Sequence, residues 1–302
     1  MEKFNVKGIE FSDLYSIDSE SLQQLEPVYG VIFLFKYGDV DRRYASEGNK
    51  PLNGEYDYEY QNNGLFFANQ TIQNACGTQA VLNILLNKSE EIEIGEDLAN
   101  FKSFVTGFDG EMIGETISNS DLIRSVHNSF STPSSLVIDD DKKPPKNYDD
   151  KNDGLFHFVG YLRFNNHIYE LDGLKSHPIR HAECNSQQEF CEKLPDVIQR
   201  RIAKYDSQEL RFALLAITNN KLEYFQSVGD IEMVNSQLMK RETWHKENEM
   251  RKHDYTGLIV DLIKNISKEM TDDEWNVLLK EAGEKGQLGV LKSIARKQGL
   301  NL

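Results

Sequence analysis

Asn69-Gln70-Thr71-Ile72-Gln73-Asn74-Ala75-Cys76-Gly77-Thr78-Gln79-Ala80-Val81-Leu82-Asn83-Ile84-Leu85-Leu86-Asn87 is the stretch on which the reading turns. From Thr71 to Asn87 the spacing predicts a helix that is apolar nearly all round, and such a helix belongs in the middle of a domain rather than on its surface. Thr71 and Asn74 are candidate caps. Cys76 then falls in the first turn, where unpaired N–H groups and the helix dipole favour a thiolate over a thiol. For an isolated cysteine the ordinary reading is a small buried hydrophobe, so the assignment depends on a base within reach.

The base is sought downstream. Leu155 to Phe164 and His167 to Gly173 read as two strands around Asn165-Asn166, a turn pair that tolerates positive φ. A loop centred there pairs Val159 with Asp172, making His157 and Asp172 diagonal neighbours about 7–8 Å apart at Cα on one face. Tyr161, Arg163 and Glu170 share that polar face, while Phe156, Phe158, Leu162, Phe164, Tyr169 and Leu171 point the other way. An imidazole oriented by a carboxylate keeps its second nitrogen for a thiol proton. Gln70, just upstream of the helix, could offer its side-chain amide to a developing oxyanion beside the Cys76 N–H.

Outward from these blocks, Val28 to Tyr37 reads as a strand buried on both faces, and residues 38–64 as loop. Leu98 to Thr106 and Ser120 to Phe130 read as amphipathic helices, with Asn119 or Ser120 capping the second. Residues 131–153, with Asp139-Asp140-Asp141-Lys142-Lys143-Pro144-Pro145-Lys146, hold almost nothing to bury and read as a lid between two parts of one core. Ile198 to Tyr205 reads as a short helix and Arg211 to Ile217 as a last strand. Beyond Asn219 the chain turns polar and helical: Leu222 to Arg251, an apolar face at Leu258, Ile259, Leu262, Ile263 and Ile266, and helices around Trp275 and Leu288 to Ile294. Two domains are expected, at 1–218 and 219–302.

Charge follows the same division. Of the 302 residues, 34 are Lys or Arg and 49 Asp or Glu, a net charge of −15. Residues 1–218 carry 21 basic and 35 acidic side chains, residues 219–302 carry 13 and 14. A nucleic-acid partner is excluded, since that affinity comes from cations neutralising phosphates, and a basic protein partner is favoured. No window approaches the roughly 20 apolar residues of a membrane helix, and Met1-Glu2-Lys3-Phe4-Asn5 does not resemble a signal peptide. Three widely spaced cysteines suggest no disulfide framework. The expected location is cytoplasmic and nuclear, with no membrane partner. His177, His181, Cys184 and Cys191 bunch together, but not at the spacing of a common zinc motif, and no phosphate-cradling glycine loop is present. No metal or cofactor is expected.

Phe66 to Gln70 with Cys76 to Ala80, Phe156 to Tyr161, and Tyr169 to Leu174 resemble the active-site blocks of the ubiquitin C-terminal hydrolases. Leu25 to Lys36, Ser118 to Phe130 and Arg251 to Tyr255 resemble the long, proteasome-associated branch in particular. The resemblance implies a papain-like α/β (α+β) fold, a central antiparallel sheet flanked by helices, with a C-terminal all-α extension. It implies Cys76 as nucleophile, His157 as general base and then acid, Asp172 as the residue orienting it, and Gln70 in the oxyanion hole. Residues 131–153 become the loop crossing over the active site. The implied partners are ubiquitin and its conjugates, and the proteasomal ubiquitin receptor with a deubiquitinase-adaptor domain. The sequence lacks the Ser-Asp-Pro-Gly-like stretch with which family members usually begin and has a short coiled region before its final helices. A catalytically weak ubiquitin-binding or docking module is therefore the second expectation.

Overall fold

The computed structural model describes residues 1–48, 50–72, 74–130, 156–205 and 211–297, with side chains as far as Glu284. The expected crossover loop at 131–153 lies outside the described residues. Among them, seven strands, β1 (Ile9–Leu14), β2 (Val28–Lys36), β3 (Glu55–Tyr56), β4 (Phe156–Phe164), β5 (His167–Leu171), β6 (Ile179–Glu183) and β7 (Ala213–Asn219), form one antiparallel sheet in the order β1-β7-β2-β4-β5-β6-β3. The helices are α1 (Ser19–Gln23), α2 (Asp39–Ser46), α3 (Cys76–Asn87), α4 (Glu96–Phe104), α5 (Gly110–Asn119), α6 (Asp121–Asn128), α7 (Gln187–Ile202), α8 (Lys221–Val228), α9 (Ile231–Lys252), α10 (Thr256–Lys268) and α11 (Asp272–Lys297).

Alternation along β2 explains the two layers. Ile32 joins the core built by α3 and α4 with Leu82, Leu85 and Leu98, while Val31, Phe33 and Phe35 join the core of α7, with Phe190, Leu194 and Ile198. The sheet is therefore covered on both faces, as the uninterrupted apolar run of β2 requires. Two glycines let α3 lie close on it. A methyl group at Gly30 would meet Ile84 Cγ2 at 2.7 Å and the Tyr161 carbonyl oxygen at 2.9 Å, and one at Gly160 would meet Ile84 Cγ1 at 3.1 Å.

Several elements differ from the sequence reading. Residues 38–64 contain α2 and β3; α2 escaped notice because, of its residues, only Asp41 is buried, and its start is held by the Gly38 N–H donating to Asp41 Oδ2 at 3.0 Å. The central helix begins at Cys76 instead of Thr71, since Asn74 adopts a φ of 65° and breaks the chain there. Neither expected cap serves: Ala75 occupies the cap position, and the Thr71 hydroxyl donates to the Gly114 carbonyl at 3.1 Å. α5 went unread because its two glycines, Gly110 and Gly114, look like breaks; they are needed where α5 crosses Asn69, whose carbonyl oxygen lies 2.1 Å from where a Gly114 Cβ would sit. α7 starts at Gln187, ahead of its internal Pro195. The stretch after Asn219 divides at Gly229, left-handed at φ 73°, and the last two expected helices are one, α11.

The chain forms two compact units, one of Met1–Ser129 with Leu155–Thr243, the other of Phe130–Gly154 with Trp244–Leu302. In the first, Arg241 of α9 donates to Glu10 Oε2 at 2.8 Å and to Asn220 Oδ1 at 2.7 Å, which draws α8 and the start of α9 onto β1. In the second, the apolar residues of α10 remain uncovered: Leu258, Ile259, Leu262, Ile263 and Ile266 are each 44–55% exposed. No helix among the described residues is long and apolar enough to cross a membrane.

Candidate active site

The break at Asn74 and Ala75 makes Cys76 the first residue of α3, closer to the unpaired N–H groups than a helix from Thr71 would have put it. The residue is 9% exposed. Burial would raise the thiol pKa, but a hydrogen bond and charge interaction with His157, helped by the Phe158 and Gly77 backbone N–H groups, bring it below the usual value.

The hairpin holds the register read from Asn165-Asn166. Gly160 pairs with Leu171 and Tyr161 with Glu170, and both turn asparagines have positive φ. His157 Nε2 donates to Asp172 Oδ1 at 2.7 Å, which leaves Nδ1 for the Cys76 thiol. Burial works against the imidazolium, yet the Asp172 charge and hydrogen bond outweigh it and raise the imidazole pKa. The same pairing, with the Arg201 charge and the Leu174 N–H at 3.0 Å, keeps Asp172 below the ordinary carboxylate range despite its burial. Phe35, opposite His157 across β2 and β4, presents its ring to the imidazole at 5.7 Å and 87°, and Tyr37 does so at 5.9 Å and 82°.

One expectation is corrected here. The face shared by His157, Asp172, Tyr161 and Glu170 is not an outward polar face; all four are buried, Tyr161 in the core that α7 covers and Glu170 against Arg201 of α7. What makes this tolerable is a set of charges the sequence reading missed. Arg201 Nη1 donates to Glu170 Oε1 and Nη2 to Asp41 Oδ1 at 3.4 Å. Tyr161 and His181 bond to Glu170 at 3.0 and 3.1 Å, and the Tyr205 hydroxyl bonds to Asp41 at 2.8 Å. The signal for Arg201 was available: it lies on the apolar stripe of α7 that runs through Phe190, Leu194 and Val197, where a cation is out of place.

Gln70 sits beside the Asp172 turn, its backbone N–H donating to the Gly173 carbonyl at 2.8 Å. Its side-chain Nε2 donates to the Ile72 carbonyl at 2.9 Å, and its Oε1 is buried without a partner. The cysteine and histidine cluster is otherwise engaged. His181 is bonded to Glu170, His177 packs among Tyr56, Tyr58 and Tyr60, and Cys184 and Cys191 are buried in the core under α7. Among the described residues, no group of His, Cys, Asp and Glu is arranged to hold a metal ion.

A cysteine opening the helix that lies on an antiparallel sheet, with a histidine from that sheet against it, defines the papain-like class of cysteine hydrolases. The family model described as ubiquitin carboxyl-terminal hydrolase, family 1, matches residues 1–203, and one described as ubiquitin carboxyl-terminal hydrolases matches residues 234–270. Ubiquitin carboxyl-terminal hydrolase 2 of Schizosaccharomyces pombe is 40% identical over 292 residues, spanning 94% of this chain and 92% of that protein. Ubiquitin carboxyl-terminal hydrolase isozyme L5 of Dictyostelium discoideum is 34% identical over 88% of this chain and 87% of its own length. The crystal structure of Trichinella spiralis UCH37 bound to ubiquitin vinyl methyl ester superposes with a TM-score of 0.57 at 28% identity, covering 83% of this chain and 92% of that one. The chain belongs to family 1 of the ubiquitin carboxyl-terminal hydrolases and is a cysteine-type deubiquitinase.

Proposed function

We propose that Cys76, His157 and Asp172 together cleave the bond that follows the C-terminal glycine of ubiquitin. The observation that carries this is the chain of contacts from Asp172 Oδ1 through His157 Nε2, at 2.7 Å, to the Cys76 thiol on the other side of the ring. The Cys76 thiolate adds to the glycine carbonyl carbon, His157 passes a proton to the leaving amine, alcohol or thiol, and a thioester to Cys76 remains. Water then adds to the thioester with His157 taking its proton, and collapse releases the ubiquitin carboxylate and the thiol. Asp172 holds the ring in the required tautomer throughout. Gln70 and the Cys76 N–H stabilise the tetrahedral oxyanion, for which the Gln70 amide must turn from the Ile72 carbonyl it now faces. Ubiquitin as the substrate is supported by the UCH37 complex with a ubiquitin ester and by the acidity of residues 1–218.

Cys76→Ala is expected to abolish hydrolysis of a ubiquitin C-terminal fluorogenic amide and labelling by a ubiquitin-based electrophile. Undiminished turnover would overturn the assignment.

Docking to the proteasomal ubiquitin receptor through its deubiquitinase-adaptor domain is the second part of the proposal, together with a cytoplasmic and nuclear location. The exposed apolar side chains of α10 support it, since contiguous apolar surface of this kind marks interaction sites. Leu262→Asp with Ile263→Asp, both on exposed positions, should remove co-purification with proteasomes while hydrolysis of the small amide substrate stays within two-fold. Unchanged co-purification would exclude this surface.

A further inference from the structure

Arg201 is 1% exposed and lies in the last turn of α7, on the side of the sheet from which Phe35, His157 and Glu170 project. Its guanidinium Cζ stands 4.3 Å above the centre of the Phe35 ring, which also stacks on Phe33 at 5.4 Å, packs against Tyr205 at 5.8 Å and meets the His157 imidazole edge to face at 5.7 Å. Its two terminal nitrogens are divided between Glu170 and Asp41, and its Nε is buried with no acceptor.

Around the imidazole the ionisable groups are Cys76 from α3, Tyr37 just beyond β2 and Asp172 after β5. Behind them stand Glu170 on β5 and Asp41 on α2, with Tyr161, His181 and Tyr205 bonded to those carboxylates. Lys175, buried and donating to the Lys50 carbonyl at 3.0 Å, interacts with the same three carboxylates. Glu170 and Asp172 are two residues apart on one face, so their charges oppose each other. Two cations, Arg201 and Lys175, stand against these three carboxylates, and a His157 imidazolium faces Asp172 on one side and the Cys76 thiolate on the other.

We propose that Arg201 is a positioning residue for the active site: seated on Phe35 and between Glu170 and Asp41, it keeps the Phe35 ring against His157 and screens Glu170 from Asp172, so that the imidazole stays turned between Asp172 and Cys76. Without that seat the imidazole keeps Asp172 and Tyr37 but loses the Phe35 side of its support, its alignment on the thiol loosens, and the cysteine shifts toward an ordinary thiol. This rests on the catalytic assignment above.

Two variants of the full chain test it. Phe35→Leu keeps every charge and most of the apolar volume, and Glu170→Gln combined with Arg201→Met removes one charge of each sign. Both are checked for fold by circular dichroism and compared with the unmodified chain in turnover of a ubiquitin C-terminal fluorogenic amide and in Cys76 alkylation by iodoacetamide from pH 4 to 10. The expected result is a kcat lower by about 10-fold or more, a KM within two-fold, and an acid limb of the alkylation profile moved up by at least about half a pH unit. A merely structural role lowers turnover only with the folded fraction and leaves that limb in place, and this outcome in folded Phe35→Leu overturns the proposal even where the double variant fails to fold. An unmodified chain that neither turns over the substrate nor alkylates below the ordinary thiol range instead overturns the catalytic assignment.

Discussion

His157 is held on three sides: a carboxylate on Nε2, an aromatic ring from Phe35 and another from Tyr37, which leaves the fourth side for sulfur. Its protonation and that of Asp172 are linked to folding. Burial alone would lower the His157 value, but Asp172 raises it to about 9, while His157 in turn holds Asp172 at about 2. Against unfolded values of about 6.5 and about 3.9, the histidine contribution is complete below pH about 6.5 and lost as pH rises through about 9. The aspartate contribution is complete above pH about 4 and lost as pH falls through about 2. Asp172→Asn should therefore lower the Tm most between about pH 4 and 6.5, with the gap from the unmodified chain closing as the pH is raised through about 9. A gap independent of pH would contradict the pairing. The same variant should lose roughly 10²–10⁴ in kcat, because the amide no longer holds the imidazolium.

At the scale of elements, α3 can present Cys76 to His157 only because it approaches the sheet at Gly30 and Gly160. The Gly30 position is closed on two sides, by the Ile84 side chain and by the Tyr161 backbone, and the backbone cannot give way without disturbing the β2–β4 pairing. Gly30→Ala should cost about 1–3 kcal/mol by overpacking, read as a lower midpoint in urea, and should lower kcat beyond the loss of folded protein because α3 is lifted from β4. A fully stable, fully active Gly30→Ala protein would show that the helix does not depend on this notch. Gly114 does a related service for the strand of chain before α3, since α5 crosses the Asn69 carbonyl at that point and Gln70 follows directly.

For the whole molecule the distribution of charge decides the encounter with substrate. Most of the −15 belongs to residues 1–218, so a basic substrate is drawn to the unit that holds Cys76. Raising the ionic strength from about 10 to about 150 mM shortens the screening length from roughly 30 to 8 Å. We expect kcat/KM for ubiquitin substrates to fall several-fold over that range while kcat is unchanged; a salt-independent kcat/KM would mean that association is not steered by this charge. The second unit carries little net charge and exposes the apolar side chains of α10.

What the sequence determined by itself was local or periodic. The double-sided apolar run of β2, the hairpin at Asn165-Asn166, and with it the pairing of His157 and Asp172 on one face, follow from patterns a few residues long, and the structure keeps the same register. The start of α3 at Cys76 does not follow from such a pattern, because it is set by the left-handed turn at Asn74 and by α5 pressing on Asn69 from 40 residues away. Nor does the character of the face that carries His157: polar by composition, it is buried, and its Glu170 carboxylate is kept ionised because Arg201, far along the chain, is brought against it. Hydrophobic period and turn chemistry are properties of neighbours in sequence. Burial and the balance of buried charge are properties of neighbours in space, and only the tertiary structure decides them.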